Sequence, residues 1–290
     1  MDKVLATKRR RRHTPGWYAA KTAVYFILSL FLLIFIIPFV FALATSFTTP
    51  VGIYSETFHW LPKPVTAENY VQVFRKVNLS RGFLNTMMYI TPPILVGTLS
   101  SAMGAYALSR LRFPGRDIIF FGFLSTVVIP GIVLMIPSYV MYARFYHWSN
   151  TPFPLIVPGM FGAAMTMFFI RQYFMTIPRD LEEAARIDGM TRWGIFTRVY
   201  LPLSKPVLIT QIILAVNGAY NDYLGPLLYV GTVPKQHTLQ LMLATLQTSQ
   251  SSPYTLMMAG AMVALLPTFI LYIFAQRYFV EGIVMTGITG

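Results

Sequence analysis

The side chains able to do acid, base, nucleophilic or metal chemistry are few in this chain and badly spaced for it. None of the 290 residues is cysteine, which removes thiolate nucleophiles, thiolate metal sites and disulfides together. The four histidines, His13, His59, His147 and His237, are scattered with no ligand spacing. Asp222 stands alone in an otherwise apolar run. The acids that do gather, Asp180, Glu182, Glu183 and Asp188, belong to one polar stretch, Pro178 to Pro206, set between long apolar runs. No G-x-x-x-x-G-K-[ST] loop occurs, so that route to binding and splitting a nucleotide is closed. No catalytic set, no metal site and no cofactor bound by this chain is predicted. What the pattern leaves is binding and the transmission of force.

Composition says what must position that stretch. The residues are 55% hydrophobic and only 11% charged, the balance of an integral membrane protein. Six helical spans are predicted, at residues 22–44, 84–108, 118–142, 153–170, 206–230 and 255–276, within a transmembrane domain of residues 22–276. Pro38 inside the first can be tolerated or can kink it. Gly97, Ser100, Ser101, Gly104, Gly159 and Gly162 supply the small surfaces that let membrane helices approach closely. Between the first two spans, HWLPKPVTAENY predicts an extended turn at Pro62 and Pro64. A short helix capped by Thr66 then follows, bearing Tyr70, Val73 and Phe74.

The net charge of +13 raises nucleic acid as a partner. The run Arg9 to Arg12 lies just ahead of an apolar span, however, and the other basic residues also flank spans, so a membrane-side anchor is expected and no nucleic acid. With residues 1–21 cytoplasmic, 17 of the 23 basic residues fall on the inner side. Both termini, including the tail 277–290, and the polar loop 177–205 are therefore predicted to be cytoplasmic.

That loop reads as a helix pair. Pro178 suits a helix start, Asp180, Glu182 and Glu183 crowd the first turn, and Gly189 can close it left-handed. Leu181, Ala184, Ala185 and Asp188 share one small, weakly apolar face. Thr191 can cap a second helix carrying Trp193, Phe196 and Val199, ended by Leu201-Pro202. From the residues alone, both a docking element and an ordinary surface connector fit.

Glu183-Ala184-Ala185, three residues, Gly189, nine residues, then Val199-Tyr200-Leu201-Pro202 resembles the EAA loop of binding-protein-dependent ABC importer permeases, E-A-A-x3-G-x9-I-x-L-P, with Val199 for isoleucine. AYALSRLRFPGR, VIPGIVLMIPSY, LPLSKP and the outer HWLPKPVTAENY are similar to carbohydrate-type permeases of the maltose-permease G-subunit kind. The resemblance implies an all-α, six-helix type I ABC importer permease fold with cytoplasmic coupling helices, in a bacterial or archaeal cytoplasmic membrane. It implies that Glu182, Glu183, Ala184, Ala185, Asp188, Gly189, Leu201 and Pro202 couple the chain to an ATPase subunit. It implies two ATP-binding subunits carrying ATP and Mg, a second homologous permease forming a heterodimer, an extracytoplasmic solute-binding protein, membrane lipid around the chain, and a sugar as cargo.

NGAYNDYLGPLLY resembles the family's aromatic-Asn-Asp-aromatic segment, with Tyr220 in place of the frequent tryptophan. That makes Asn217, Tyr220, Asn221, Asp222 and Tyr223 the candidate substrate path, and Asp222 either a structural hydrogen-bonding residue or a sugar contact. The tail resembles the family's ending but departs by Glu281 and by lacking a terminal lysine. A stand-alone secondary transporter or channel is the competing reading. It lacks a proton or sodium relay, and a membrane-embedded enzyme lacks an acid/base pair.

Overall fold

The computed structural model describes residues 15–50, 64–248 and 253–287, and every regular element in them is a helix. The run Arg9–Arg12, residues 51–63 and the Glu281 side chain lie outside the described residues. The chain opens with α1 (Pro15–Ser46), α2 (Glu68–Lys76) and α3 (Leu79–Arg110). Then come α4 (Arg116–Ser125), α5 (Gly131–Arg144), α6 (Phe153–Met160) and α7 (Ala164–Thr176). The polar stretch forms α8 (Arg179–Ile187), α9 (Arg192–Ile195), a π-helical turn at Phe196–Tyr200 and α10 (Leu201–Leu203). Helices α11 (Lys205–Tyr220), α12 (Leu224–Val230), α13 (Leu239–Thr248) and α14 (Tyr254–Gly287) complete it.

Among the described residues three stretches are long and apolar enough to cross a membrane without a sharp bend: Gly16–Ser46, Phe153–Thr176 and Tyr254–Gln276. Helix α3, at 32 residues, has the length but is more polar, and it makes the core instead: α6, α7, α11 and α13 all pack on it. Close packing there rests on small residues. Gly97 lies against the carbonyl of Gly159, and Gly159 against Pro93. Where α6 gives way to α7, Gly162 turns left-handed at φ +96°. The chain groups freed by that break find partners on α3: Ser100 donates to the Met160 carbonyl at 2.8 Å, and the Ala163 N–H donates to Ser101 at 3.0 Å.

Two further spans read from sequence as uninterrupted are broken. The 118–142 segment bends by 98° between Arg116–Val128 and Gly131–Arg144. Pro130 explains it, since it has no N–H to continue the helix and forces Ile129 into an extended conformation (ψ 117°). The 206–230 segment stops at Tyr220 and restarts at Leu224. Asn221 donates to the Asn217 carbonyl at 2.8 Å, and the Asp222 carboxylate accepts from the Gly225 N–H at 3.2 Å. One side chain thus satisfies a helix's last carbonyls and its neighbour a helix's first amides, so the break is chemically matched at both ends. Helix α1, by contrast, runs through Pro38 unbroken, and the tail through Gly287 continues α14.

The connection between α1 and α3 folds onto this core. Thr66 accepts from Glu68 N–H at 3.2 Å, and α2 buries Val73 and Asn69 while Phe74 stays exposed. Asn69 then donates to the carbonyls of Ser46 and Thr48, both at 2.8 Å, and accepts from Thr255 at 3.2 Å, tying α1, α2 and α14 at one end.

A β-carbon on Gly97 would meet backbone, whereas one on Gly122 meets nothing within 4 Å. Gly97→Ala is therefore expected to destabilise the detergent-purified chain by about 1–3 kcal/mol, and Gly122→Ala to leave it unchanged or slightly stabilised. Thermal unfolding of the two variants checks this, and equal midpoints would contradict it.

Candidate functional site

The polar stretch is mounted on the ends of α3 and α7 by two reciprocal contacts. Arg110, the last residue of α3, donates to the Ile177 carbonyl at 2.6 Å and to the Phe174 carbonyl. Arg171 of α7 donates to the Leu108 carbonyl at 3.2 Å. Each helix thus sends a cation to carbonyls at the other's C-terminal end, where the helix dipole also favours positive charge. Both guanidiniums lie on aromatic faces, Arg110 at 5.0 Å from the Tyr200 ring centre and Arg171 at 4.0 Å from that of Phe120.

On this mount sits an aromatic core. Tyr106, Phe174, Phe196 and Tyr200 are buried, with Tyr106 at 5.3 Å from Phe196 and 5.0 Å from Tyr200, and Phe174 at 5.3 Å from Tyr200. The second helix buries Ile195, Phe196 and Tyr200 rather than the predicted Trp193, Phe196 and Val199, because the π-helical turn adds a residue and rotates the later side chains. Thr191 does cap it, accepting from Gly194 N–H at 3.2 Å. The helix continues through Leu201 and Pro202 and turns by 74° into α11.

Helix α8 is held by one buried carboxylate. Glu182 accepts from Arg186 at 2.5 Å and from the Tyr200 hydroxyl at 3.0 Å. Ala185 packs beside it against the aromatic core. The face predicted from Leu181, Ala184, Ala185 and Asp188 is therefore divided: Ala185 and Glu182 point inward, while Leu181, Ala184, Ile187 and Asp188 point out. Ile187 is 87% exposed. Glu183 is exposed too, with no ion pair among the described residues. Gly189, at φ +79°, ends the helix, and the Met190 N–H reaches back to the Ala185 carbonyl at 3.0 Å in a left-handed closing turn. Nothing lies within 4 Å of where its β-carbon would be, so backbone strain alone selects glycine there.

The candidate substrate residues separate as well. Asn221 and Tyr223 line a cavity of about 460 Å³ with Gln240, Gln247, Thr268 and the apolar faces of α13 and α14. Gln240 donates to Asn221 at 3.3 Å. Tyr220 is buried instead, donating to the Ala264 carbonyl at 2.9 Å and so joining α11 to α14. Asn217 and Asp222 are occupied by the helix break described above. Gln240, Gln247 and Thr268 escaped the sequence reading. Leu239, Met242, Leu243 and Leu246 repeat at helical spacing and would have announced α13.

Residues 97–284 match the binding-protein-dependent transport system inner membrane component family. The chain belongs to that family. This permease is 34% identical over 230 residues to the arabinooligosaccharides transport system permease protein AraQ of Halalkalibacterium halodurans, covering 79% of this chain and 81% of that protein. It is 34% identical over 252 residues to the probable starch degradation products transport system permease protein AmyC of Thermoanaerobacterium thermosulfurigenes, covering 87% and 91%. The fold is that of a solved bacterial ABC transporter involved in the import of the acidic polysaccharide alginate, with TM-score 0.80 and 24% identity over 92% of this chain and 99% of that one. The permease is thus an all-helical, multi-pass membrane protein with the type I ABC importer fold, and the stand-alone secondary transporter is set aside.

Burial, opposed by Arg110 and aided by Glu182, pushes the Tyr200 phenol above the ordinary tyrosine range. A pKa raised on folding gives a contribution that is complete below the unfolded value of about 10 and is lost only as pH rises past the folded one. Tyr200→Phe should therefore cost about 1.5–3 kcal/mol, the worth of a hydrogen bond to a charged group. The loss in unfolding midpoint should be the same at any pH between about 6 and 9. A loss that shrinks toward the alkaline end would show that the phenol ionises in the folded permease.

Proposed function

We propose that this permease is one of two pore-forming halves of an ATP-driven importer for a sugar or oligosaccharide. The observation that carries the reading is α8. This polar helix presents Leu181, Ala184, Ile187 and Asp188 outward, yet is fixed through Glu182, Tyr200 and the two arginines to the ends of α3 and α7. A push on its outer face is delivered to the helices beneath, because packed interiors transmit displacement rather than absorb it. Two separate subunits supply the push by binding ATP with Mg and closing. This chain has no ATPase site of its own and binds no cofactor.

Glu182 and Ala185 hold the coupling element from within, Gly189 shapes its turn, and Leu201 with Pro202 leads into α11. The docking face is Leu181, Glu183, Ala184, Ile187 and Asp188. Six crossings follow: α1, α3, α4 with α5, α6 with α7, α11 with α12, and α14. The excess of basic residues beside α8 supports a cytoplasmic position for it and for both termini, in the membrane of a bacterium or archaeon. An external solute-binding protein delivers the cargo, and a second, homologous permease closes the pore as a heterodimer.

Carbohydrate as cargo rests on the relatives named for arabinooligosaccharides and starch degradation products. The Asn221, Tyr223, Gln240, Gln247 and Thr268 cavity supports it, since an aromatic ring with amides and a hydroxyl is a sugar-binding set.

Reconstitution with its neighbouring permease, ATPase and binding protein tests both halves of this reading. Ile187→Glu should abolish uptake and the binding protein's stimulation of ATPase while membrane insertion is unchanged; uptake at the parent's rate would remove α8 from coupling. Gln247→Ala should raise the apparent KM for sugar about fivefold, the worth of one hydrogen bond, with ATPase stimulation retained at saturating sugar. An unchanged KM would take the cavity off the substrate path.

A further inference from the structure

Between the turn that follows α3 and the start of α8 lies a second cavity, about 280 Å³, walled by six arginines: Arg110, Arg112, Arg116, Arg179, Arg186 and Arg192. Glu182 and Glu183 line it with them and Asp117 pairs with Arg116 at its edge, leaving a formal excess of three positive charges. Three of the six are already engaged, Arg110 with carbonyls of the α7 end, Arg186 with Glu182 and Arg116 with Asp117 at 3.1 Å. Arg112, Arg179 and Arg192 have no ion pair among the described residues and are exposed. Guanidiniums gathered this closely repel one another unless an anion sits among them, and their forked donors suit phosphate oxygens.

The surroundings say what carries that anion. Arg112 and Arg116 flank Phe113 and lead directly into α4, whose Ile118, Ile119, Phe121 and Phe123 are all exposed. Ile118 is 79% exposed and Phe121 64%, too much apolar surface for an aqueous face and ordinary for one in lipid. A soluble anion would use the arginines and leave this wall bare. A phospholipid uses both, with its headgroup phosphate in the cavity and its acyl chains along α4. An anionic headgroup also suits the excess charge, and acidic lipids attract basic clusters at the cytoplasmic membrane surface.

We infer that the arginine cavity between the α3–α4 turn and α8 is a binding site for the headgroup phosphate of an acidic phospholipid. The bound lipid would sit against α8 itself, so the site would link the bilayer's charge to the element that receives force.

Arginine modification by phenylglyoxal, read by peptide mass spectrometry on the full detergent-purified chain, tests this without any substitution. Phosphatidylglycerol should slow modification of Arg112, Arg179 and Arg192 about tenfold relative to phosphatidylcholine, in line with charge-assisted contacts to phosphate. Arg75 and Arg81, remote in the fold, should react equally in both lipids. The double variant Arg112→Gln with Arg192→Gln should retain phosphatidylglycerol about thirtyfold less well, each cation near an anionic surface contributing roughly a fivefold factor. Arg112→Lys with Arg192→Lys should keep most of the retention. Equal protection by the two lipids would overturn the site. Protection by inorganic phosphate in phosphatidylcholine to the same extent would overturn the lipid and assign the cavity to a free anion. Protection by the co-purified ATPase in lipid-free detergent, with none from phosphatidylglycerol, would overturn it in favour of a protein contact.

Discussion

The exchange of arginines between the ends of α3 and α7 is the constraint on which the rest of this permease depends. A helix that ends near the membrane surface leaves its last carbonyls without partners, and water is a poor remedy where the neighbours are aromatic. Arg110 and Arg171 solve the problem for each other's helix, and in doing so fix the two ends together. The whole stretch from α8 to α10 is built outward from that lock. Tyr200 stacks on Arg110, Glu182 hangs on Tyr200, and α8 hangs on Glu182. The order matters, because each contact orients the next, and the exposed surface of α8 inherits a defined position from bonds several residues behind it.

The helix breaks follow a different logic, in which polar side chains take up the freed backbone groups. Gly162, Pro130 and the Asn221–Asp222 pair each interrupt an apolar stretch, and each leaves backbone groups to be satisfied. Ser100 and Ser101 supply partners for the first from α3, and Asn221 and Asp222 supply their own. Thr86 does the same for α13, accepting from its Leu239 N–H at 2.9 Å. Polar residues inside these apolar runs are thus mostly answers to breaks, and Asp222 belongs with them.

Much of this was legible in the residues. The helix start at Pro178, the left-handed close at Gly189 and the cap at Thr191 are local chemistry, set by φ preferences and side-chain acceptors that act within four residues, and the structure shows each. The direction of Ala185 was not legible, since the inward face of α8 is set by the buried Glu182 and its bonds to Arg186 and Tyr200, against the hydropathy pattern of the helix. Nor was the π-helical turn that rotates Tyr200 inward, because it depends on packing against Tyr106 and Phe174, some 94 and 26 residues away in sequence. Arg110 and Arg171 read only as charges flanking spans. Their pairing with carbonyls is a property of two helix ends meeting, which no single stretch of sequence contains. Helix α13 is the one element whose periodicity was present and was passed over.

Helix α1 carries a quieter lesson. From Gly16 to Val40 every residue is exposed, and burial begins only near its end, at Ala44, Thr45 and Ser46, where Asn69 takes hold. Over those turns the chain's own fold asks nothing of side-chain shape. Any apolar residue of any size meets the bilayer's requirement equally well, so this stretch is free to wander in sequence space at fixed oiliness while Ala44 to Ser46 is not. The first helix of the permease therefore stores almost no structural information along most of its length and concentrates it in a single terminal latch.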